Sequence, residues 1–176
     1  ATASFGHGIT TTLLQIVKGY SIIVNGGYEV EPFLIKKNKK AYKTKILNED
    51  VSEKILPILR KIVTNKEGTA NLANVKGYEI GGKTGTANKI FGGSYSNKKI
   101  NTFVSTFPSS NPKFILAVML DEPEINKDYI YQYRDGSDFK LKGSPRNTAG
   151  WNSVEVTGHI VEKIGPILAT KHSEIN

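Results

Sequence analysis

Gly81-Gly82-Lys83-Thr84-Gly85-Thr86-Ala87 places a lysine, two hydroxyls and three glycines in seven residues. Two readings of this run lead to different folds. Gly77 to Thr84 spells G-Y-E-I-G-G-K-T, which satisfies the phosphate-loop pattern G-x-x-x-x-G-K-[ST]. Such a loop leaves a buried strand and opens a helix, so that backbone N–H groups meet the phosphates. The flanks oppose it. Thr69 to Lys76 is too polar for a central parallel strand, and Gly85, Gly92 and Gly93 disfavour a helix after Thr84. Tyr78, Glu79 and Ile80 would also have to sit in the loop, with a carboxylate beside the phosphates. The other reading is an extended strand whose glycines let a ligand or backbone come close. On that strand Lys83 and Gly85 point to one face, and Thr84 and Thr86 to the other. An ordinary glycine-rich edge strand with a solvated lysine has the same pattern, so the rest of the chain decides.

The chain has 176 residues and the composition of a globular domain. No apolar stretch is long enough to span a bilayer. The start, Ala1-Thr2-Ala3-Ser4-Phe5-Gly6, reads as a cut from something longer. Cysteine is absent, which excludes disulfides, thiol catalysis and zinc–thiolate sites. His7, His159 and His172 lie far apart and form no ligand pattern, so neither metal nor cofactor is expected. The formal charge is +8, much of it in Lys36, Lys37, Lys39, Lys40, Lys43 and Lys45. With Tyr42 inside it, this run has the makings of a nucleic-acid patch. Such a run is more often a solvated hairpin, and no nucleic acid is expected as a partner.

Helical spacing predicts a first helix over Thr10 to Asn25, with Thr12 and Gln15 as a capping box and Gly26-Gly27 as its stop. Gly27 to Lys37 reads as an extended segment, with Ala41 to Leu47 as its partner. A second helix is predicted over Asn48 to Asn65, with Val51, Ile55, Leu56, Leu59, Ile62 and Val63 on its apolar face. Pro57 should kink that helix or mark its true start. After the Lys-Thr-Gly strand a loop is expected through Gly92 and Gly93. Strands follow over Thr102 to Phe107 and Phe114 to Leu120, paired antiparallel across a short turn. Asp121 to Gly150 reads as a long surface loop, and Ser153 to Ala169 as a closing helix that carries Val154, Ile160, Val161, Ile164 and Leu168 and is distorted by Pro166. The order predicts an α/β (α+β) fold, an antiparallel sheet flanked by helices.

These segments together resemble the C-terminal half of the transpeptidase domain of class B penicillin-binding proteins, over nearly the whole chain. Gly82-Lys83-Thr84-Gly85-Thr86-Ala87 resembles the family's third active-site motif. Ser4-Phe5-Gly6-His7-Gly8-Ile9-Thr10, with Leu13-Leu14-Gln15 and Asn25-Gly26-Gly27, is similar to the helix after the second motif. Val63 to Ala70 is similar to the approach to the active-site strand. Phe103-Val104, Phe107-Pro108 and Ala117 to Pro123 resemble the last strand pair, and Thr148-Ala149-Gly150-Trp151 the lead-in to the closing helix. The division (septal) type fits best. His7, Ser105 and Ser153-Val154-Glu155-Val156 depart from the usual pattern.

The family's other two motifs, Ser-x-x-Lys with the nucleophile and Ser-x-Asn, belong upstream of Lys83. Ser96-Asn97-Lys98-Lys99, Ser137-Asp138-Phe139-Lys140 and Ser109-Ser110-Asn111 match by letter but follow Lys83 and fall in expected loops. They are read as chance matches, and the chain as the C-terminal portion of one domain whose upstream half holds the serine. The resemblance implies catalytic roles for Lys83 and Thr86, and substrate-binding roles for Thr84, Gly85 and Thr86. Lys83 would supply positive charge and bond the Ser-x-Asn serine. The Thr84 and Thr86 hydroxyls would take the carboxylate of a stem peptide or β-lactam, and the Thr86 N–H would serve the oxyanion hole. Gly85 would let the substrate backbone lie close.

The implied activity is peptidoglycan D,D-transpeptidation by serine acyl transfer, at the periplasmic face of the bacterial inner membrane. The implied partners are peptidoglycan stem peptides, β-lactam antibiotics, the upstream half of the domain and cell-division membrane proteins. Alternatives are another serine acyl-enzyme (a β-lactamase, carboxypeptidase or β-lactam sensor) or a non-catalytic binding module. A sheet without its upstream elements should also expose apolar surface and seek a partner.

Overall fold

Gly92 and Gly93 organise the sheet. Both have positive φ, 57° and 81°, the backbone of a tight two-residue hairpin turn. In the computed structural model, which describes residues 9–35 and 44–173, they join strand β1 (Gly81–Phe91) directly to β2 (Ser94–Phe107). The expected loop through Gly92 and Gly93 is therefore only the turn of a long hairpin. Ser96 lies within β2, not in a loop. Strand β3 (Phe114–Asp121) completes an antiparallel sheet of order β1-β2-β3. The phosphate loop is excluded, because Gly81 to Thr84 lie inside a strand and no helix follows.

Register assigns the faces. Thr84 pairs with Phe103 and Thr86 with Asn101, while Lys83 pairs with Val104 and Gly85 with Thr102. Phe103 in turn pairs with Val118. Directly opposed residues share a face, so Gly82, Thr84 and Thr86 lie on the Phe103 face and Lys83 and Gly85 on the other. The core gathers on the first face, where Ile80 and Phe103 pack with Val63, Val154 and Val161, all fully buried. Gly82 sits beneath the Phe103 ring. A Cβ there would lie 2.6 Å from both Phe103 Cζ and Val104 O. Gly82→Ala is therefore expected to cost about 1–3 kcal/mol through overpacking, measured by urea unfolding. No loss would mean that both the Phe103 ring and the Val104 carbonyl can move aside.

Three helices flank the sheet. Helix α1 (Leu13–Val24) carries the predicted capping box: Gln15 N donates to Thr12 Oγ1 at 3.2 Å, and Thr12 N to Gln15 Oε1 at 2.8 Å. It ends at Gly26 and Gly27, where φ is +85° and +89°. Helix α2 (Glu49–Thr64) continues past Pro57, so the proline does not mark its start. Its buried stripe is Ser52, Leu59 and Val63, whereas Val51 is exposed. The face is turned because Ser52 serves the end of α1: its hydroxyl donates to Ile23 O at 2.6 Å and accepts from Gly26 N at 2.9 Å. Helix α3 (Ser153–Ser173) contains Pro166 and buries Val154 and Val161 as predicted. It packs on the Phe103 face. Helix α1 packs on the Lys83 face, and α2 lies across the start of β1.

Asp121 to Gly150 is not simply a surface loop. It holds a second antiparallel pair, β4 (Ile130–Gln132) and β5 (Lys140–Lys142), and a 3-10 turn at Ala149–Trp151. Strands this short carry too few residues for an alternation signal. Tyr131 and Arg134 of this segment are buried. The Arg134 guanidinium grips Glu155 of α3 with two hydrogen bonds, 2.9 and 3.0 Å, and donates to Leu72 O at 3.0 Å.

Of the extended pair expected over Gly27 to Leu47, the described residues contain a single bridge between Tyr28 and Lys45. The lysine run over residues 36–43 lies outside the described residues. Among the described residues no helix is long and apolar enough to cross a membrane, and no cluster of His, Asp and Glu could hold a metal ion.

Candidate active site

β1 is an edge strand. Only β2 pairs with it among the described strands, so alternate amides and carbonyls along its outer side are unpaired. The strand also separates two cavities. On one side, about 520 Å³ opens between β1 and α1, lined by Lys83, Gly85, Ile16, Tyr20, Thr102 and Val104 and reached at the strand edge by Thr84 and Thr86 as well. On the other, about 390 Å³ lies beside Thr84 and Thr86, walled by Thr69, Arg146, Thr148 and Trp151.

Lys83 is exposed, and its ammonium donates to the neighbouring Thr84 O at 2.7 Å. That contact uses one of three N–H donors and leaves a mobile positive charge at the edge of the sheet. Gly85 leaves its side of the strand open: a Cβ there would touch nothing closer than Thr102 O at 3.9 Å.

The Thr86 hydroxyl oxygen accepts from the Ala149 N–H at 3.0 Å. An N–H can only donate, so the Thr86 hydroxyl proton stays available to an anion. The Thr84 hydroxyl exchanges a hydrogen bond of 3.0 Å with Thr69. Thr69, Thr84 and Thr86 thus form a cluster of hydroxyls on one face. Thr86→Val should leave the buried Ala149 amide without its partner and cost about 1–3 kcal/mol in unfolding free energy. Thr86→Ser should retain most of it. Equal stability of both variants would mean that the Ala149 contact contributes nothing.

Ala149 is placed by its neighbours. Asn101 of β2 donates to Asn147 Oδ1 at 2.9 Å, and Asn152 donates to the same oxygen at 3.3 Å. Lys99 reaches Asn147 O at 3.1 Å. The segment from 146 to 152 is thereby stapled to the sheet. Nearer the hairpin tip, Lys89 and Lys98 bond Glu122 at 2.7 and 2.6 Å and hold its carboxyl below the usual range.

The four residues named from sequence, Lys83, Thr84, Gly85 and Thr86, lie on one strand edge with the predicted split of faces. Sequence reasoning gave no role to Thr69, Arg146, Tyr133 or Trp151, which join the site from other elements. Gly68-Thr69-Ala70 and Thr148-Ala149-Gly150-Trp151 were visible as segments, but nothing in their spacing placed them beside Thr84. Ser96 and Ser137 line neither cavity. The Ser96 hydroxyl donates to Lys89 O at 3.1 Å, and the Ser137 hydroxyl donates to Asp135. Tyr20 adds a feature not foreseen: its buried hydroxyl has no partner among the described residues, and burial pushes its pKa well up.

Comparison with known proteins agrees with this geometry. Residues 1–137 match the family described as the penicillin binding protein transpeptidase domain. The Neisseria flavescens protein named Probable peptidoglycan D,D-transpeptidase PenA is 38% identical over 130 residues, covering 73% of this chain and 32% of its own length. The Caulobacter vibrioides protein named Probable peptidoglycan D,D-transpeptidase FtsI is 29% identical over 97% of this chain and 28% of its own. The chain thus spans about a third or less of these relatives. Among solved structures, the transpeptidase domain of Burkholderia pseudomallei penicillin-binding protein 3 superposes with a TM-score of 0.70 at 26% identity, covering 94% of this chain and 45% of that one. Penicillin-binding protein 3 of Mycobacterium tuberculosis, solved with ampicillin, gives 0.68 at 25% identity, covering 91% and 36%. With most of its length matched and the Lys-Thr-Gly-Thr strand exposed at the sheet edge, the chain belongs to the penicillin-binding protein transpeptidase domain family.

Proposed function

We propose that this chain is the C-terminal portion of a single peptidoglycan D,D-transpeptidase domain. The whole protein cross-links stem peptides by serine acyl transfer and is acylated by β-lactams. The observation that carries the reading is the split strand, with the Lys83 ammonium on one face and the Thr84 and Thr86 hydroxyls on the other, along an unpaired edge. Acyl transfer from a D-alanyl-D-alanine peptide needs an activated serine, a proton acceptor, an oxyanion hole and a clamp for the terminal carboxylate. The free hydroxyl proton of Thr86, with Thr84 beside it, suits the clamp. Lys83 supplies positive charge on the opposite face, where it bonds the hydroxyl of the second motif. The Thr86 N–H and the reactive serine's own N–H form the oxyanion hole. Gly85 admits the substrate backbone.

The reactive serine comes from the upstream half of the domain. Two observations support this placement. Buried hydroxyls normally have partners, and that of Tyr20, on the Lys83 side, has none among the described residues. Ile9 and Leu14, before and within α1, are 65% and 59% exposed, apolar surface suited to burial against more of the same domain. The relative solved with ampicillin supports β-lactam binding. The whole protein works at the periplasmic face of the inner membrane, anchored by an N-terminal helix, with cell-division membrane proteins as partners, a reading that rests on the division-type resemblance.

Labelling with a fluorescent penicillin tests the reading, on this chain alone and on the longer protein that includes the upstream half. Labelling of the longer protein only is the expected result. Labelling of this chain alone would mean that one of its own serines reacts. No labelling of either would remove the assignment.

A further inference from the structure

We propose that Arg146 makes the cavity beside Thr84 and Thr86 a subsite for a second carboxylate on the ligand, in addition to the one taken by the threonine hydroxyls. The inference rests on the transpeptidase reading and names the ligand class of that site: a peptide or β-lactam with an acidic side chain.

The charge of the cavity points this way. Of the described residues lining its 390 Å³, Arg146 is the one that carries a charge, and no acidic side chain lines it. The Arg146 guanidinium is exposed and has no carboxylate partner among the described residues. Two cations near the hairpin tip are neutralised, Lys89 by Asp121 at 3.0 Å and Glu122 at 2.7 Å and Lys98 by Glu122 at 2.6 Å, whereas Lys83 and Lys99 bond only backbone carbonyls and do not line this cavity. An arginine left unpaired at the wall of a cavity presents a planar fork that matches a carboxylate with two parallel hydrogen bonds.

The frame is also built. The Arg146 N–H donates to Ser144 Oγ at 3.2 Å, and the Ser144 hydroxyl donates to Arg146 O at 2.6 Å. The next residue, Asn147, is tied to β2 through Asn101. These contacts hold the backbone and leave the guanidinium unused. Leu72, Tyr133 and Trp151 supply apolar wall, so the occupant has a short carbon chain or ring ahead of its anion. The volume lies in the range of ordinary small-ligand pockets. Thr84 and Thr86 border the same cavity, so one ligand can place its terminal carboxylate on the hydroxyls and a side-chain carboxylate on Arg146.

The test uses the longer protein with the complete domain and two penicillins that differ by one group. Benzylpenicillin has one carboxylate. Carbenicillin is the same molecule with a second carboxylate on its side chain. Second-order acylation rates are measured for the wild type, Arg146→Gln and Arg146→Lys. The expected result is a fall of about fivefold in the carbenicillin-to-benzylpenicillin rate ratio for Arg146→Gln, the size of a partly solvated ion pair. Benzylpenicillin should be unaffected and Arg146→Lys intermediate. An unchanged ratio would overturn the inference. An equal fall for both penicillins would also overturn it, because Arg146 would then serve the carboxylate that they share. Absence of acylation in the wild type would instead sink the transpeptidase reading, and this inference with it.

Discussion

Arg134→Ala is expected to destabilise the protein by about 3–5 kcal/mol, because it strands a buried carboxylate. Arg134 and Glu155 have side chains only 4% and 6% exposed, and they meet at 2.9 Å. The same guanidinium donates to Leu72 O and Gln132 O, and its Nε lies 3.3 Å from Glu162. Glu155 also accepts from the Tyr129 hydroxyl and sits 3.1 Å from His159. One side chain therefore joins the β4–β5 segment, helix α3 and the 3-10 turn at Asn71–Ala73, which follows Thr69. The double variant Arg134→Met with Glu155→Leu should recover most of the loss, since a buried pair replaced by apolar groups of similar size is often neutral. Urea unfolding of the three proteins decides the matter. A single variant as stable as the wild type would mean that Glu155 finds water or another partner, and the network would lose its assigned role.

Lys83→Ala should leave stability nearly unchanged while lowering penicillin acylation of the complete domain at least about a hundredfold. The first half follows from position: Lys83 is exposed, and its one hydrogen bond is to the adjacent residue's carbonyl. The second half follows from chemistry, since removing a positioned proton-transfer or charge-stabilising group typically costs about 10²–10⁴ in rate. Thermal unfolding and acylation kinetics on the same preparation separate the two effects. Retained acylation would exclude Lys83 from the reaction. A large fall in melting temperature would mean that the lost rate reflects lost structure.

The sequence by itself determined the parts governed by short range. The capping box of Thr12 and Gln15 marked the start of α1, the glycines at 26 and 27 marked its end, and the spacing of Val154 and Val161 marked the buried face of α3. The Lys83-Thr84-Gly85-Thr86 run marked the strand of the candidate site, and alternation alone assigned its two faces. Each of these depends on residues within a few positions of one another. The tertiary structure decided everything that needed a distant partner. Pro57 lies inside α2, where the surrounding turns carry the helix past the missing N–H. Ser52 is buried because the end of α1 supplies both of its hydrogen bonds, which no periodicity in α2 reveals. Asp121 to Gly150 looked solvated because its buried arginine is charged, and its counter-ion lies 21 residues later in α3. Thr69 and Arg146 reach Thr84 from segments 15 residues before it and about 60 residues after it, and such approaches are set by packing. Local rules place a residue on a face of its own element, whereas the identity of what it meets there is fixed only when the elements close on one core.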